Sequence, residues 1–172
     1  MPTAPIPRLG TKLTPPASAP YQVQRNPAGL DQAGTARVIL VRAPAGFGKS
    51  TAMMQYYRAL EQRGQSVAWL TLDAQDNDMS RFVHYLGEMM LQTGISTTLP
   101  FSPVDVVESI SAHPSGFTFF MDELDTLRSA DVLGLLRELI ERLPRGGQLV
   151  VGCRSWPDLG FGRLRARGQL VE

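Results

Sequence analysis

The chain has 172 residues, 43% of them apolar, with 17 basic against 16 acidic side chains and a formal charge of +1. That length buries one sizeable core, so one domain is the starting expectation, and the balanced charge excludes the electrostatic footprint of a protein held mainly by nucleic-acid phosphates. A single cysteine, Cys153, excludes an intrachain disulfide framework and a cysteine-based zinc site; with no apolar run of signal-peptide or membrane-spanning length, the expectation is a cytoplasmic protein without a membrane partner.

Residues 1–36 read as a proline-rich arm rather than core, since seven of the thirteen prolines lie between Pro2 and Pro27. The domain is expected over 37–172. Val38-Ile39-Leu40-Val41 has the β-branched texture of a strand buried on both faces. Gly46 and Gly48 follow, then a helix over 50–63 with Ala52, Met53, Tyr56 and Leu60 on one face. A second strand is expected over 67–72 and a second helix over 79–92, with Asp73, Asp76, Asn77 and Asp78 as strand exit and helix cap rather than a Ca²⁺ loop, because the glycine and distant glutamate of such a loop are missing.

A loop over 93–103 leads to a short helix over 104–111, then to a third buried strand, Phe117 to Met121, which runs directly into Asp122 and Glu123. An amphipathic helix over 130–143 and a fourth strand over 148–153 complete the alternation. Arg163, Arg165 and Arg167 alternate as on the solvated face of an edge strand. His84 and His113 lack partners at ligand spacing and read as structural, and Cys153 as an inert buried thiol. Strands alternating with helices at these lengths predict an α/β fold, a three-layer α/β/α sandwich with a mainly parallel sheet, and a ligand site at the C-terminal ends of the strands.

Ala43-Pro44-Ala45-Gly46-Phe47-Gly48-Lys49-Ser50 fits the phosphate-loop pattern of P-loop NTPases, with Ala43 at its first glycine. Glycines let the backbone approach phosphate closely, the loop and helix start point amides inward, an ammonium neutralises the β- and γ-phosphates, and a hydroxyl meets Mg²⁺. The expected ligand is therefore ATP or ADP with Mg²⁺. Ala45, Gly46, Phe47, Gly48, Lys49, Ser50 and Thr51 are the candidate nucleotide contacts, Ser50 also being a metal ligand. Asp122, at the tip of a hydrophobic strand, is the candidate second metal ligand, and Glu123 the candidate base toward the attacking water. The plain alternative for this acidic cluster, Asp122-Glu123-Leu124-Asp125, is a helix cap. Arg154, at the end of the fourth strand, is placed to reach the γ-phosphate, or is one surface arginine among many. With Lys49, these three make up the candidate catalytic set.

These residues resemble the nucleotide-binding domain of MalT-like, large LuxR-type transcriptional activators of the STAND class of signalling ATPases. The likeness runs from Thr11-Lys12-Leu13-Thr14-Pro15-Pro16 through the loop, where the family also replaces the first glycine. It continues over Ala68 to Asp73 with Asp76-Asn77-Asp78 and Arg81-Phe82, over Phe120-Met121-Asp122-Glu123, where aspartate is common at the last position, and over Val150 to Ser155 and Leu164 to Leu170. Arg25 is similar to an arginine that packs near the nucleotide base in such proteins. The resemblance implies a switch. ADP would hold the resting form, ATP with an inducer not identified by the sequence would permit self-association, hydrolysis would be slow, and DNA would be bound only through domains beyond this chain. The alternatives are an independent P-loop enzyme, such as a small-molecule kinase, and a fragment that keeps the fold with little affinity.

Overall fold

The computed structural model describes residues 10–17, 36–155 and 159–172. Five strands, β1 (Val38–Arg42), β2 (Val67–Thr71), β3 (Phe117–Asp122), β4 (Gly147–Cys153) and β5 (Leu170–Val171), form one parallel sheet in the order β2-β3-β4-β1-β5. The helices are α1 (Lys49–Gln62), α2 (Met79–Thr93), α3 (Pro103–Ala112), α4 (Ala130–Arg142) and α5 (Phe161–Ala166). The predicted α/β architecture is therefore the one observed. Strand order has a direct consequence for the site: β4 lies between β1, which feeds the glycine loop, and β3, which ends in Asp122.

Alternation along each strand sorts the core into two layers. Ile39, Trp69, Phe120 and Val150 face α1 and meet Met53, Tyr56 and Leu60, with Trp69 and Phe120 stacked at 5.7 Å. Leu40, Leu70, Met121 and Val151 face the other way, under Phe82 and Leu86 of α2, Val106 of α3 and Leu136 of α4. Burying each such side chain stabilises the fold by about 1.5–3 kcal/mol. Local chemistry sets the helix starts. Asp78 accepts from the Arg81 amide at 2.9 Å, and Ser102 and Ser129 accept from Asp105 and Val132.

Two expectations are corrected. Residues 161–166 are helical, because Phe161 and Leu164 are buried three residues apart, a helical spacing, while Arg163, Arg165 and Arg167 stay exposed. The solvated character of these arginines holds and the strand does not; pairing resumes only at Leu170, opposite Val38. The lead-in is also not all outside the core. Most of it, Arg25 included, lies outside the described residues, but Gly10–Lys12 forms a 3₁₀ turn and Leu13 is 4% exposed within the main apolar cluster.

Lys12 explains why this segment is held. Its ammonium bonds Asp76, a fully buried carboxylate that also accepts from Arg81 Nε at 3.2 Å and the Asp73 amide at 2.8 Å. Lys12 also meets Asp73 at 2.8 Å and lies 4.8 Å from the Tyr85 ring centre. Asp76 is thus an internal ion-pair anchor as well as a cap: it closes a capping box with Asp73 at the 3₁₀ turn, and Asp78 caps α2, as the sequence suggested for the cluster. Burial pushes the Asp73 carboxyl up, but the Lys12 hydrogen bond, the Gln75 amide and nearby cations outweigh it and hold the group below its ordinary value. A lowered carboxyl contributes stability above the ordinary carboxylate range and loses it as pH falls through that range, about pH 4 and below. Lys12→Met should lower stability by about 1–2 kcal/mol, since Asp76 keeps its other donors. It should also remove part of the acid sensitivity of the parent; denaturant titrations at pH 4 and pH 7 measure both.

Candidate functional site

The chain leaves β1 at Arg42 and turns through residues 43–48 into α1. Ala43 donates its amide to the Cys153 carbonyl at 3.3 Å, tying the loop to the end of β4. Gly46 and Gly48 have φ of +81° and +80°, a left-handed conformation in which a β-carbon is strained, so these two positions require glycine. Ala43 is outside that region, which explains why alanine suffices there. Gly48 is the N-cap of α1, so free amides and the positive end of the helix dipole face the same recess.

That recess has a volume of about 330 Å³ and is lined by Pro44, Ala45, Gly46, Gly48 and the start of α1 on one side and by Glu123 and Arg154 on the other. Lys49 is at its floor, 7% exposed, with its ammonium bonded to Asp122 and 3.1 Å from Glu123. Burial works against that positive charge, but the hydrogen bonds and charges of Asp122 and then Glu123 outweigh it and raise the Lys49 pKa, so the lysine is a fixed cation at neutral pH. Ser50 donates its hydroxyl to the second oxygen of Asp122. An ammonium, a hydroxyl and a buried carboxylate in mutual contact fit a magnesium–phosphate group, because Mg²⁺ takes hard oxygen donors and shares its shell with phosphate oxygens and water. Among the described residues no cluster of three His, Cys, Asp or Glu side chains could hold a metal unaided.

Glu123 has the only positive φ among described non-glycine residues, 59°. Such a backbone persists only where its surroundings over-determine it, and such positions concentrate at functional sites. Here its side chain is held between two cations: one oxygen meets Lys49 and the other Arg154 Nη2 at 3.1 Å. Asp125 completes the arrangement by accepting the Arg154 amide at 2.9 Å, with its other oxygen 4.0 Å from the guanidinium. The sequence singled out Asp125 only as part of an acidic cap; its distance from Arg154 along the chain concealed the contact. Gly152 was also missed. A β-carbon there would lie 2.4 Å from Asp122 Oδ1 and 2.5 Å from Met53 Sδ, so the bare backbone of β4 makes room for the carboxylate.

The structure therefore brings together Ala45, Gly46, Gly48, Lys49, Ser50, Thr51, Asp122, Glu123 and Arg154. Phe47 is 62% exposed and does not line the recess, unlike its neighbours Gly46 and Gly48. Arg25 lies outside the described residues. A larger recess, about 710 Å³, lies at the opposite strand ends, among Arg37, Arg63, Gly116 and Arg145, and no carboxylate is among the described residues that line it. Parallel sheets of this kind place ligands at the C-terminal strand ends, where the smaller recess is. Cys153 is fully buried; burial, with Asp125 adding to it, pushes its thiol up to about 11, which makes it unreactive at neutral pH.

The ATPase MipZ family model matches residues 36–123, from the start of β1 through the glycine loop to Glu123. Over 95% of its length the chain is 26% identical to the HTH-type transcriptional regulator MalT of Klebsiella pneumoniae, covering 20% of that protein. It is also 26% identical to the serine/threonine-protein kinase PknK of Mycobacterium tuberculosis, over its whole length and 17% of that protein. The chain thus spans a fifth or less of the curated relatives it matches. Among solved structures it is similar to a chain in the structure of Drosophila ORC bound to AT-rich DNA and Cdc6, with a TM-score of 0.53 and 14% identity over 84% of this chain and 50% of that one. At that identity the likeness establishes the fold alone.

Proposed function

We propose that this chain, which belongs to the ATPase MipZ family and is a P-loop ATP-binding domain of MalT type, is a nucleotide switch that binds Mg-ATP or ADP, hydrolyses ATP slowly, and controls self-association of a longer transcriptional regulator. The observation that carries this reading is the chain of ion pairs Asp122–Lys49–Glu123–Arg154, in which the groups suited to phosphate and metal hold one another. Each is a contact that nucleotide can exchange. Lys49 would turn from the carboxylates to the β- and γ-phosphates, and the loop amides at the start of α1 would bind the phosphate oxygens. Ser50 and Asp122 would hold Mg²⁺, which when bound neutralises phosphate charge and polarises the phosphoryl group.

Arg154 is the element that distinguishes ATP from ADP. Its side chain is 53% exposed and tethered through Asp125, so it can exchange Glu123 for a γ-phosphate without leaving the site. Glu123 would then be released to polarise the attacking water. Because Glu123 must first give up a cation, the rate-limiting event is a rearrangement of ion pairs, which supports turnover well below the enzyme median of about ten per second. Similarity over nearly the whole chain to both a transcriptional regulator and a protein kinase supports a module whose nucleotide state, rather than whose output, is shared.

Thermal shift with ATP and with ADP, with and without Mg²⁺, tests this reading; no shift with either nucleotide would reject it. Glu123→Gln should leave ATP affinity within a few-fold of the parent and reduce single-turnover hydrolysis by about a hundredfold. Unchanged hydrolysis would reassign Glu123 to the structure of the turn.

A further inference from the structure

We propose that Asn77, which lies outside the recess, is a positioning residue of the nucleotide site: its carboxamide holds residues 126–129 so that the acidic turn keeps Asp125 on the Arg154 amide, and through that tether of Arg154 it sets the preference for triphosphate over diphosphate. This rests on the switch function proposed above. Asn77 ends the 3₁₀ turn Ala74–Asn77 that follows β2, some fifty residues from the acidic turn in sequence. Its Nδ2 donates to the Ala74 carbonyl at 2.9 Å and the Thr126 carbonyl at 3.0 Å. Its Oδ1 accepts from the Arg128 amide and from the Ser129 amide at 2.7 Å.

Backbone carbonyls only accept and backbone amides only donate, so these four partners fix the orientation of the carboxamide. No other side chain type of this size supplies both halves. Aspartate would keep the acceptor and lose the donor, and serine would be too short to span both. The stretch that Asn77 grips is the one that shapes Glu123. Thr126 donates to the Glu123 carbonyl from its amide at 3.0 Å and from its hydroxyl at 2.8 Å. Glu123 in turn donates its amide to Asp122 at 2.8 Å. A left-handed glutamate is costly by itself and is kept in place by such surroundings. Ser129, bound at the other end of the grip, is the N-cap of α4. Asn77 therefore ties the exit of β2, the turn after β3 and the start of α4 at one point.

The point is also braced from behind. Asp76, next in the chain, is the buried anchor of Lys12, so docking of residues 10–17 and the shape of the acidic turn share one 3₁₀ turn. Disturbing Asn77 leaves the glycine loop, Lys49 and Ser50 in place, because none of these contacts it. The α- and β-phosphate contacts should survive, and the γ-phosphate contact of Arg154, which depends on its Asp125 tether, should not.

The test compares the chain with Asn77→Ala and Asn77→Asp. Calorimetry with Mg-ADP should give affinities within about twofold of the parent, whereas Mg-ATP affinity should fall roughly tenfold for Asn77→Ala and less for Asn77→Asp, which keeps the Arg128 and Ser129 contacts. In the nucleotide-free protein, hydrogen exchange at the Arg128 and Ser129 amides should accelerate in Asn77→Ala and remain near the parent rate in Asn77→Asp. Equal losses for ATP and ADP, or no loss for either, would overturn the assignment of Asn77 to triphosphate preference. Unchanged exchange at Arg128 and Ser129 in Asn77→Ala would overturn the grip itself. Failure of the parent chain to bind either nucleotide would instead reject the switch function, and with it the nucleotide half of this inference.

Discussion

Lys49→Ala should abolish the thermal shift with both ATP and ADP, a loss of at least about a hundredfold in affinity. In the proposed switch the ammonium has two roles. Toward nucleotide it is the fixed cation at the start of α1, held charged by the Asp122 and Glu123 carboxylates despite its burial. Toward the protein it compensates Asp122, which is 2% exposed. Alanine leaves that carboxylate with only the Ser50 hydroxyl and the Glu123 amide, and aims two acidic side chains at the place where phosphate must sit.

The same substitution should therefore lower stability by about 3 kcal/mol, the usual consequence of orphaning one member of a buried pair. The two effects can be separated with a second change. Lys49→Ala combined with Asp122→Asn removes the orphaned charge and should recover most of the lost stability, measured by denaturant titration, while nucleotide binding remains absent. Recovery of binding together with stability would mean that Lys49 acts through folding alone. Wild-type affinity in the single variant would remove the phosphate site from this loop altogether.

What the sequence made legible is what short-range pattern encodes. Val38 to Val41 reads as a buried strand because β-branched residues run without a polar break, and Gly46, Gly48, Lys49 and Ser50 read as a phosphate cradle because each residue type has one physical reason to be at that spacing. Asp122 was singled out because it ends an apolar strand. The contacts it did not disclose are those made between segments far apart in the chain. Asp125 binds Arg154, Asn77 binds Thr126, and Lys12 binds Asp76, and in each case the residue type is an ordinary cap or surface residue until its partner is known. The arginines at 163, 165 and 167 misled for a different reason. Their alternation mimics a strand, but the burial of Phe161 and Leu164, which decides the local structure, depends on a core that only the fold supplies.

Gly152 is the clearest instance, and it gives the second large expected effect. Gly152→Ala should reduce the Mg²⁺-dependent part of ATP affinity by about tenfold or more, with stability falling by about 1–3 kcal/mol through overpacking. Gly152 pairs with Val41 across β4 and β1, so it is directly beneath the glycine loop, on the α1 side of the sheet with Val150. An added β-carbon would meet Asp122 Oδ1 at 2.4 Å and Met53 Sδ at 2.5 Å, distances that ordinary packing does not allow. Met53 is a flexible side chain and can yield. Asp122 is short and held by Lys49, Ser50 and the Glu123 amide, so any movement breaks the contacts that would hold metal and phosphate. Calorimetry with ATP in the presence and absence of Mg²⁺ separates the two outcomes. If only Met53 moves, stability falls while the gain from Mg²⁺ is unchanged, and Gly152 is then a packing residue; if Asp122 moves, the Mg²⁺ gain disappears while metal-free ADP binding persists. The second outcome is expected, because Asp122 Oδ1 is the nearer of the two atoms and the carboxylate that carries it is held by Lys49, Ser50 and the Glu123 amide.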